Sequence, residues 1–561
     1  SLMDSDMLEV LHSLLNGGTS SVSWTNLYTC INQCNSVIKY APSVEMSDET
    51  QAAPKLKLPA LTALVVGSMI GGGIFSLPQN MASGAGAGAI LIGWGITFVG
   101  MLMLAFVFQT LANRKPEVEG GVYGYARAGF GPYMGFNSAW GYWISAWIGN
   151  VSYFVVLFSA LGSFDALGFF GEGNTLPAIV CASVLLWALH FLVLRGIKEA
   201  AFINTITTIA KMVPLVLFIL CVAMAFRVDT FRVDFWGSAA LGSLTDQIKN
   251  TMLYTVWVFL GIECATVYAT RARSLVDVSR ATMLGFTITM LLLVCVSVLS
   301  LGVVPQEQLA QMKNPSAAAV MAMAVGPWGA VLINVGLILS VGGALLAWTL
   351  ISSEMLYLAS RGEHNTAPRC FGKLNANGTP ANALWLTNSL IALFLVINHL
   401  NDAGYNILIQ LASSMALIPY LLCAAFGLKL AIKAEVRNTT LIALTALGTG
   451  YGLWLIYAGG LSFLLLSMIL YALGLGFYAK ARLERGKPVF EGMADRICAG
   501  AVVTLAKSMI WATFMECDSC CCRAVDGGSL CLIKRTFKAP DRAFVKNIEK
   551  ATCSGLVLCA R

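Results

Sequence analysis

The sequence predicts an all-α membrane protein with twelve transmembrane helices. Its 561 residues are 57% hydrophobic and only 12% charged, whereas soluble domains carry about 25% charged residues. Many separate apolar segments reach the roughly 20 residues that a helix needs to cross a bilayer. A soluble protein with a very large core does not explain so many runs of this length, and the mean hydropathy of +0.74 agrees with a membrane protein.

The predicted spans follow one another with short polar connections. Several exceed the minimum length, which indicates that they are tilted or extend beyond the bilayer. Their approximate ranges are 58–85, 87–112, 130–162, 174–195, 198–226, 246–271, 279–303, 326–360, 381–399, 404–429, 438–459 and 461–480. They define a transmembrane domain over residues 55–490, preceded by an N-terminal extension (1–54) and followed by a cysteine-rich extension (491–561).

The two extensions lack the regular apolar pattern of the domain between them. Residues 1–54 do not contain the basic start and compact apolar stretch of a signal peptide. Met46 opens a polar lead into the first span, so we interpret it as the natural start, with a cytoplasmic tail as the alternative. Residues 491–561 are either a true tail or a gene-model artefact. Their cysteines have no second pair at zinc-finger spacing, so we predict no metal and no cofactor.

Basic residues are distributed unevenly between the two sides of the predicted bundle. Most lie in the connections on one side, and the other side offers Arg227, Arg232, Lys249 and Lys313. Because cytoplasmic loops are enriched in lysine and arginine, we expect both ends of the transmembrane domain in the cytoplasm. These loops account for the net charge of +7, so we expect membrane lipid and no nucleic acid as a partner.

Three consecutive glycines, Gly71, Gly72 and Gly73, interrupt the first span at its centre. A glycine costs a helix interior up to about 1 kcal/mol, so the triplet predicts an unwound stretch. Unwound backbone at membrane depth is tolerated where it lines a cavity or is buried in protein. Free N–H groups at the start of the second half-helix suit an anion such as a carboxylate. We therefore predict that Gly72 and Gly73 bind a ligand carboxylate, with close helix packing as the alternative.

The sixth span contains a second interruption, from Trp257 through Gly261 to Glu263. A carboxylate inside a span costs about 2.5–3.5 kcal/mol, which makes Glu263 a candidate for ligand, proton or gate interactions. Its alternative role is to cap the following half-helix. Interruptions in the first helix of each five-helix half indicate a transporter with an inverted repeat and a site between the halves. The predicted fold class is thus a five-plus-five inverted repeat with two extra helices.

Five polar or aromatic residues inside spans are further candidates for the site. Lys211 lies deep in the fifth span. A lysine at this depth either carries a proton, replaces a bound cation or extends its side chain to the membrane interface. Glu354 lies late in the eighth span, either against a substrate or near the inner interface. Trp257 and Trp348 either pack or hold a cationic group by cation–π attraction. Asn150 bonds either a ligand or a neighbouring helix.

No soluble-enzyme motif is present in the sequence. It contains no phosphate-binding P-loop, no His-Glu-x-x-His motif and no Rossmann turn after a strand. We therefore do not expect an enzyme. Because the chain carries no ATP-hydrolysing motif, we expect transport to be coupled to an ion or to a counter-substrate.

Six segments resemble those of the amino acid–polyamine–organocation superfamily and, within it, of the basic amino acid/polyamine antiporters. They are residues 66–75 (Val-Gly-Ser-Met-Ile-Gly-Gly-Gly-Ile-Phe), 120–131, 142–150 (Tyr-Trp-x-x-x-Trp-Ile-Gly-Asn), 195–201, 257–263 (Trp-x-x-x-Gly-x-Glu) and 348–350 (Trp-Thr-Leu). The resemblance covers residues 55–490 and is greatest to bacterial arginine/ornithine antiporters, which implies a role in the arginine deiminase pathway.

The resemblance implies a fold of the leucine-transporter type and a set of site roles. Gly72 and Gly73 would hold the substrate carboxylate, and the carbonyls of Ile70 and Trp257 would receive the α-amino group. The side-chain pocket would comprise Asn150, Trp348, Tyr153, Glu354 and Ser68. Gating and coupling would involve Tyr142, Trp257, Lys211 and Glu263.

Some positions differ from the related arginine/agmatine antiporters, which carry Asn, Ser, Met and Gln where this sequence has Ser68, Gly72, Tyr153 and Glu354. These differences favour a substrate that keeps its α-carboxylate, such as ornithine, over agmatine. The expected function is electroneutral exchange of arginine for ornithine across a bacterial inner membrane, with a homodimer left open. Proton-coupled uptake, arginine/agmatine or lysine exchange, and a receptor without transport are the alternatives.

Overall fold

The computed structural model describes residues 58–118, 120–195, 200–263, 275–361, 366–401, 404–434 and 438–521. Within these ranges all regular secondary structure is helical, and no strand occurs. Eight of the described helices are long and apolar enough to cross a membrane. The chain is thus an all-helical, multi-pass membrane protein.

We number the α-helices in chain order, and 3₁₀-helices are named by their residues. The α-helices are α1 (Leu58–Met69), α2 (Leu77–Ala82), α3 (Ala87–Arg114), α4 (Gly121–Phe130), α5 (Pro132–Gly162), α6 (Leu176–Leu194), α7 (Ala200–Met224), α8 (Val228–Arg232), α9 (Leu244–Phe259), α10 (Leu275–Ser300), α11 (Gln306–Ala310), α12 (Ser316–Val325), α13 (Pro327–Ser360), α14 (Ala381–Asn401), α15 (Tyr405–Lys433), α16 (Thr439–Leu483) and α17 (Met493–Cys521).

The first predicted span consists of two α-helices, separated at the glycine triplet. α1 ends at Met69, Gly71 has extended backbone, and a 3₁₀-helix over Gly72–Phe75 leads into α2. In the sixth predicted span, α9 ends at Phe259 and is followed by a turn in which Gly261 has a φ of 104°. Glycine adopts this left-handed conformation without the steric cost of a Cβ. The remainder of that predicted span, residues 264–271, lies outside the described residues.

The C-terminal part contains a further break and a further helix. Gly460, with φ 82° and ψ 161°, is not helical and divides α16 between the eleventh and twelfth predicted spans. Beyond residue 491, where the regular apolar pattern of the sequence ends, α17 runs from Met493 to Cys521 and packs against α16. Its first half is rich in alanine, which suits a helix.

α5 occupies the centre of the bundle. In its most apolar 18-residue window 94% of the residues are buried, against 28% in α16, so α5 is enclosed by protein while α16 is peripheral. α5 packs against α13 and α15, and α1 packs against α10. The interrupted segments therefore lie beside a central helix that carries Tyr142, Asn150 and Tyr153.

Candidate functional site

A small cavity of about 20 Å³ lies at the interruption of α1. It has room for about one water molecule, so its walls lie close together in this structure. Its wall combines backbone around Gly71 and Gly73 with the side chains of Tyr153, Trp257 and Trp348. The cavity thus offers main-chain polar groups on one side and aromatic faces on the other.

The glycine backbone packs directly against aromatic side chains. A Cβ atom at Gly71 would lie 2.5 Å from the Tyr153 hydroxyl, and one at Gly73 would lie 2.6 Å from Trp257 Nε1. A Cβ at Gly72 would lie 3.2 Å from the Tyr153 ring. Real Cβ atoms essentially never approach within 3.0 Å of another heavy atom. The triplet therefore does more than end a helix, because it lets the backbone contact Tyr153 and Trp257.

Lys211 satisfies the carbonyl groups that the interruption leaves free. Its side chain is buried, and its ammonium donates to the carbonyl of Gly67 at 2.8 Å and to that of Ile70. Both carbonyls belong to the C-terminal end of α1, where the helix dipole is negative and a cation is stabilising. The Ile70 carbonyl, which we predicted to receive an α-amino group, already accepts from Lys211. A carbonyl oxygen has two lone pairs, so it retains one acceptor position.

Glu263, after the second interruption, is bound by two tyrosines. Tyr420 donates to Glu263 Oε2 at 2.6 Å, and Tyr142 donates to Oε1. Tyr142 lies on α5 and Tyr420 on α15, so the carboxylate connects both helices to the segment that follows α9. The Tyr142 ring also lies 6.2 Å from that of Trp348, centroid to centroid, which places this cluster at the border of the cavity.

Asn150 and Trp348 lie on the facing helices α5 and α13. Trp348 is half-buried and lines the cavity. Asn150 is fully buried and donates from Nδ2 to Thr349 Oγ1 at 3.2 Å, whereas its Oδ1 has no hydrogen-bond partner within the described part of the chain. A buried unpaired acceptor costs about 1–3 kcal/mol, so Asn150 Oδ1 is a ready acceptor for a ligand N–H group.

Two predicted pocket residues stand apart from this arrangement. The side chain of Glu354 is exposed on α13, and Glu354 is not among the residues that line the cavity. The side chain of Ser68 lies outside the described residues, although its backbone belongs to α1. Sequence reasoning also missed Tyr420, because a tyrosine late in an apolar span carries no signal of a carboxylate partner 157 residues away.

The amino acid permease family model matches residues 56–490. The chain belongs to the amino acid permease family. The permease is 56% identical over 468 residues to the arginine/ornithine antiporter of Pseudomonas aeruginosa. The aligned residues cover 81% of this chain and 96% of the relative. It is 43% identical over 448 residues to the arginine/agmatine antiporter of Chlamydia abortus, which covers 78% of this chain and 92% of the relative.

Membership of this family confirms the resemblance that the sequence motifs indicated. It makes the permease an amino acid transporter and not an enzyme.

Proposed function

We propose that the permease exchanges L-arginine for L-ornithine across the bacterial cytoplasmic membrane, one molecule for one. The observation that carries the proposal is the interruption of α1, whose glycine backbone borders a cavity walled by Trp257 and Trp348. Backbone N–H groups at a half-helix start suit an α-carboxylate, and an indole face suits a cationic side chain. The 56% identity to an arginine/ornithine antiporter supports this pair of substrates.

In this proposal each predicted residue has a distinct role. The N–H groups of Gly72 and Gly73 bind the carboxylate, and the carbonyls of Ile70 and Trp257 bind the α-amino group. The cationic side chain lies in a pocket formed by Asn150, Trp348, Tyr153, Glu354 and Ser68. Tyr142, Trp257, Lys211 and Glu263 act in gating and coupling.

The architecture behind this function is part of the same proposal. We infer twelve transmembrane spans in a five-plus-five inverted repeat with two additional helices, with both ends of residues 55–490 in the cytoplasm. The interruptions after α1 and α9 support the repeat, because the first helix of each half is the one that is broken. A homodimer and a place in the arginine deiminase pathway stay predictions.

Electroneutral exchange follows from the charges of the two substrates. Arginine and ornithine each carry a net charge of +1 at neutral pH, because one carboxylate is offset by two cationic groups. One-for-one exchange therefore moves no net charge. Exchange is obligatory when the loaded carrier changes between its two open forms much faster than the empty carrier. The substrate produces this difference if it binds the intermediate states more tightly, since a ligand shifts an equilibrium only by its differential affinity.

Lys211 favours a second candidate function, proton-coupled uptake. Its buried ammonium binds the two carbonyls at the end of α1. A proton released from this position during the cycle would weaken the contact between α7 and α1 and drive net uptake of one amino acid. This mode needs no amino acid on the opposite side of the membrane.

Proteoliposomes with the full chain separate the two candidates. We expect labelled arginine to enter rapidly when the vesicles contain ornithine and slowly when they contain buffer alone. Equal uptake under both conditions contradicts exchange, and uptake that then follows an imposed pH gradient supports proton coupling. Internal lysine and agmatine replace ornithine in parallel samples. Agmatine lacks the carboxylate that Gly72 and Gly73 would bind, so it should support the least exchange.

A further inference from the structure

A second cavity, of about 260 Å³, lies at the end of the bundle where α2, the start of α15 and the connection before α12 meet. We call it the vestibule. Its wall includes Gln79 on α2, Ser159 on α5, Asn314 in the connection, and Tyr405 and Asn406 at the start of α15. In the orientation proposed above, the vestibule faces away from the cytoplasm.

One side chain joins three separate segments at the vestibule. Gln79 Oε1 accepts from Asn314 Nδ2 at 2.9 Å and from Asn406 Nδ2 at 3.0 Å. Gln79 Nε2 donates to the carbonyl of Ala310 at 3.0 Å, and its backbone N–H donates to Ser316 Oγ at 3.0 Å. Gln79 thus connects α2 to α15, to α11 and to the start of α12.

These bonds matter because α2 is short. A helix of six residues does not hold its own conformation, so contacts with other elements determine where α2 lies. α2 also follows directly on the 3₁₀-helix Gly72–Phe75, whose glycines are the proposed carboxylate binders. The position of Gln79 is therefore coupled through a few residues of backbone to the site itself.

The vestibule and the site cavity are adjacent but separated by side chains. Tyr405, which lines the vestibule, approaches Ser76 and Trp257, and Trp257 lines the site cavity. A substrate that passes between them requires α2 to move relative to α15. Such a movement breaks the bond between Gln79 and Asn406.

Other polar contacts also lie at the vestibule. Ser159 donates to the carbonyl of Asn314, a bond that does not involve α2. Lys313 and Glu172 form an ion pair at 3.1 Å, but their side chains are 75% and 56% exposed, and pairs in water contribute little. Gln79 is 7% exposed, so its hydrogen bonds are shielded from water and hold α2 more strongly than such an ion pair would.

We propose that Gln79 is a positioning residue for transport: its amide holds α2 against α15 and against the 306–325 segment while the vestibule is closed. The inference rests on the proposed exchange function, because closure of the vestibule matters only for a carrier with two open forms. Loss of the amide shifts the population towards the form in which the vestibule is open.

Hydrogen–deuterium exchange of the full chain in lipid nanodiscs tests the bonds without transport. In Gln79→Leu we expect the backbone amides of residues 77–82 and 306–325 to exchange roughly tenfold faster, because the three hydrogen bonds of the Gln79 side chain are lost. The matched control is Asn334→Leu, since Asn334 is a buried amide that donates to Ser163 Oγ at 2.7 Å and does not line the vestibule. This control should leave both segments unchanged.

Exchange kinetics then distinguish positioning from a merely structural role. A larger population of the open form lowers the apparent KM for arginine on the vestibule side, and slower closure lowers kcat. Gln79→Leu should therefore lower both, roughly five- to tenfold each. A variant that only folds less well lowers the amount of active carrier and leaves KM unchanged. Gln79→Glu keeps an acceptor oxygen for Asn314 and Asn406 and loses the donor to the carbonyl of Ala310, so its KM should fall less than that of Gln79→Leu.

Two results overturn the inference. One is unchanged hydrogen exchange in residues 77–82 and 306–325 of Gln79→Leu, and the other is faster hydrogen exchange with an unaltered KM. The proposed function fails by a different result, namely arginine uptake by the unmodified chain that does not depend on internal ornithine. In that case the hydrogen exchange comparison still decides whether Gln79 holds α2 in place.

Discussion

The two helix interruptions differ in backbone geometry, with extended Gly71 in the first and left-handed Gly261 in the second, and also in how their polar groups are satisfied. At the end of α1, glycine backbone meets a cation, because Lys211 binds the carbonyls of Gly67 and Ile70. After α9, the polar group is an acidic side chain, Glu263, bound by two tyrosine hydroxyls. Freed polar groups at membrane depth need partners, and this permease supplies a charged one in the first case and neutral ones in the second.

The difference suggests a division of work between the two interruptions. The first presents main-chain groups whose geometry is fixed by close packing on Tyr153 and Trp257, as a binding site requires. The second joins two long helices, α5 and α15, through hydroxyl groups that can exchange partners at little cost, as a gate requires. Four substitutions test whether the first interruption binds and the second gates.

The largest effect is expected at the first interruption, for Gly73→Ala. The added methyl group would lie 2.6 Å from Trp257 Nε1. Overpacking of this kind costs up to about 3 kcal/mol, so arginine affinity should fall about a hundredfold. The control is Gly95→Ala on α3, where nothing lies within 4 Å of the new Cβ. Calorimetric titration with arginine measures the affinity of both purified variants. Similar affinities would show that Gly73 is not part of the binding site.

A somewhat smaller effect is expected for Lys211→Met, which leaves two buried carbonyls of α1 without their charged donor. Unsatisfied buried groups cost about 1–3 kcal/mol each, so exchange should slow roughly 30-fold. The exposed Lys373→Met is the control. If Lys211 instead carries the proton of an uptake cycle, net pH-driven uptake disappears while arginine/ornithine exchange persists. The same vesicles measure both quantities.

Tyr420→Phe tests the second interruption. It removes one of two hydroxyl donors to Glu263, and a hydrogen bond to a charged group contributes about 1.5–3 kcal/mol. We expect the maximal exchange rate to fall about tenfold with little change in arginine affinity, because a gate contact acts on conversion and not on binding. Tyr478→Phe is the control, since this buried hydroxyl has no hydrogen-bond partner within the described residues. A large loss of affinity in Tyr420→Phe would show that both interruptions bind substrate.

The smallest effect is expected for Trp348→Leu. Trp348 lies between the two interruptions. Loss of a cation–π contact should weaken arginine binding by about 1–2 kcal/mol, and ornithine binding by a similar amount. Trp328→Leu, at the exposed start of the same helix, is the control. Unchanged affinity in Trp348→Leu would leave this side chain a packing role.

Much of the fold was predictable because its causes are local. Apolar runs of sufficient length predict spans, and the glycine triplet predicts the break at Gly71, since a helix interior disfavours glycine wherever it lies. The motifs around Gly73 and Glu263 were also sufficient to identify the family. The regular pattern of spans ends before α17, because the apolar residues of that helix are too dispersed to form a clear span.

The sequence singled out candidate residues for the site and did not reveal their contacts. Lys211 and Glu263 stood out because ionisable residues are costly inside a membrane, whatever surrounds them. Their partners did not stand out. The carbonyls bound by Lys211 lie 144 and 141 positions away, and the Tyr420 hydroxyl lies 157 positions from Glu263. Glu354 is the converse case, because its exposure depends on how α13 is rotated in the bundle.

The sequence by itself determined that the chain is a multi-pass membrane protein, where two of its helices break and which family the chain belongs to. Tertiary structure alone decided that a cation meets the first break, that tyrosines meet the second, and that Gln79 bridges α2 and α15. The physical reason is that hydropathy and helix propensity act along the chain. Hydrogen-bond partners depend on which faces of distant helices pack together, and no local pattern encodes that choice.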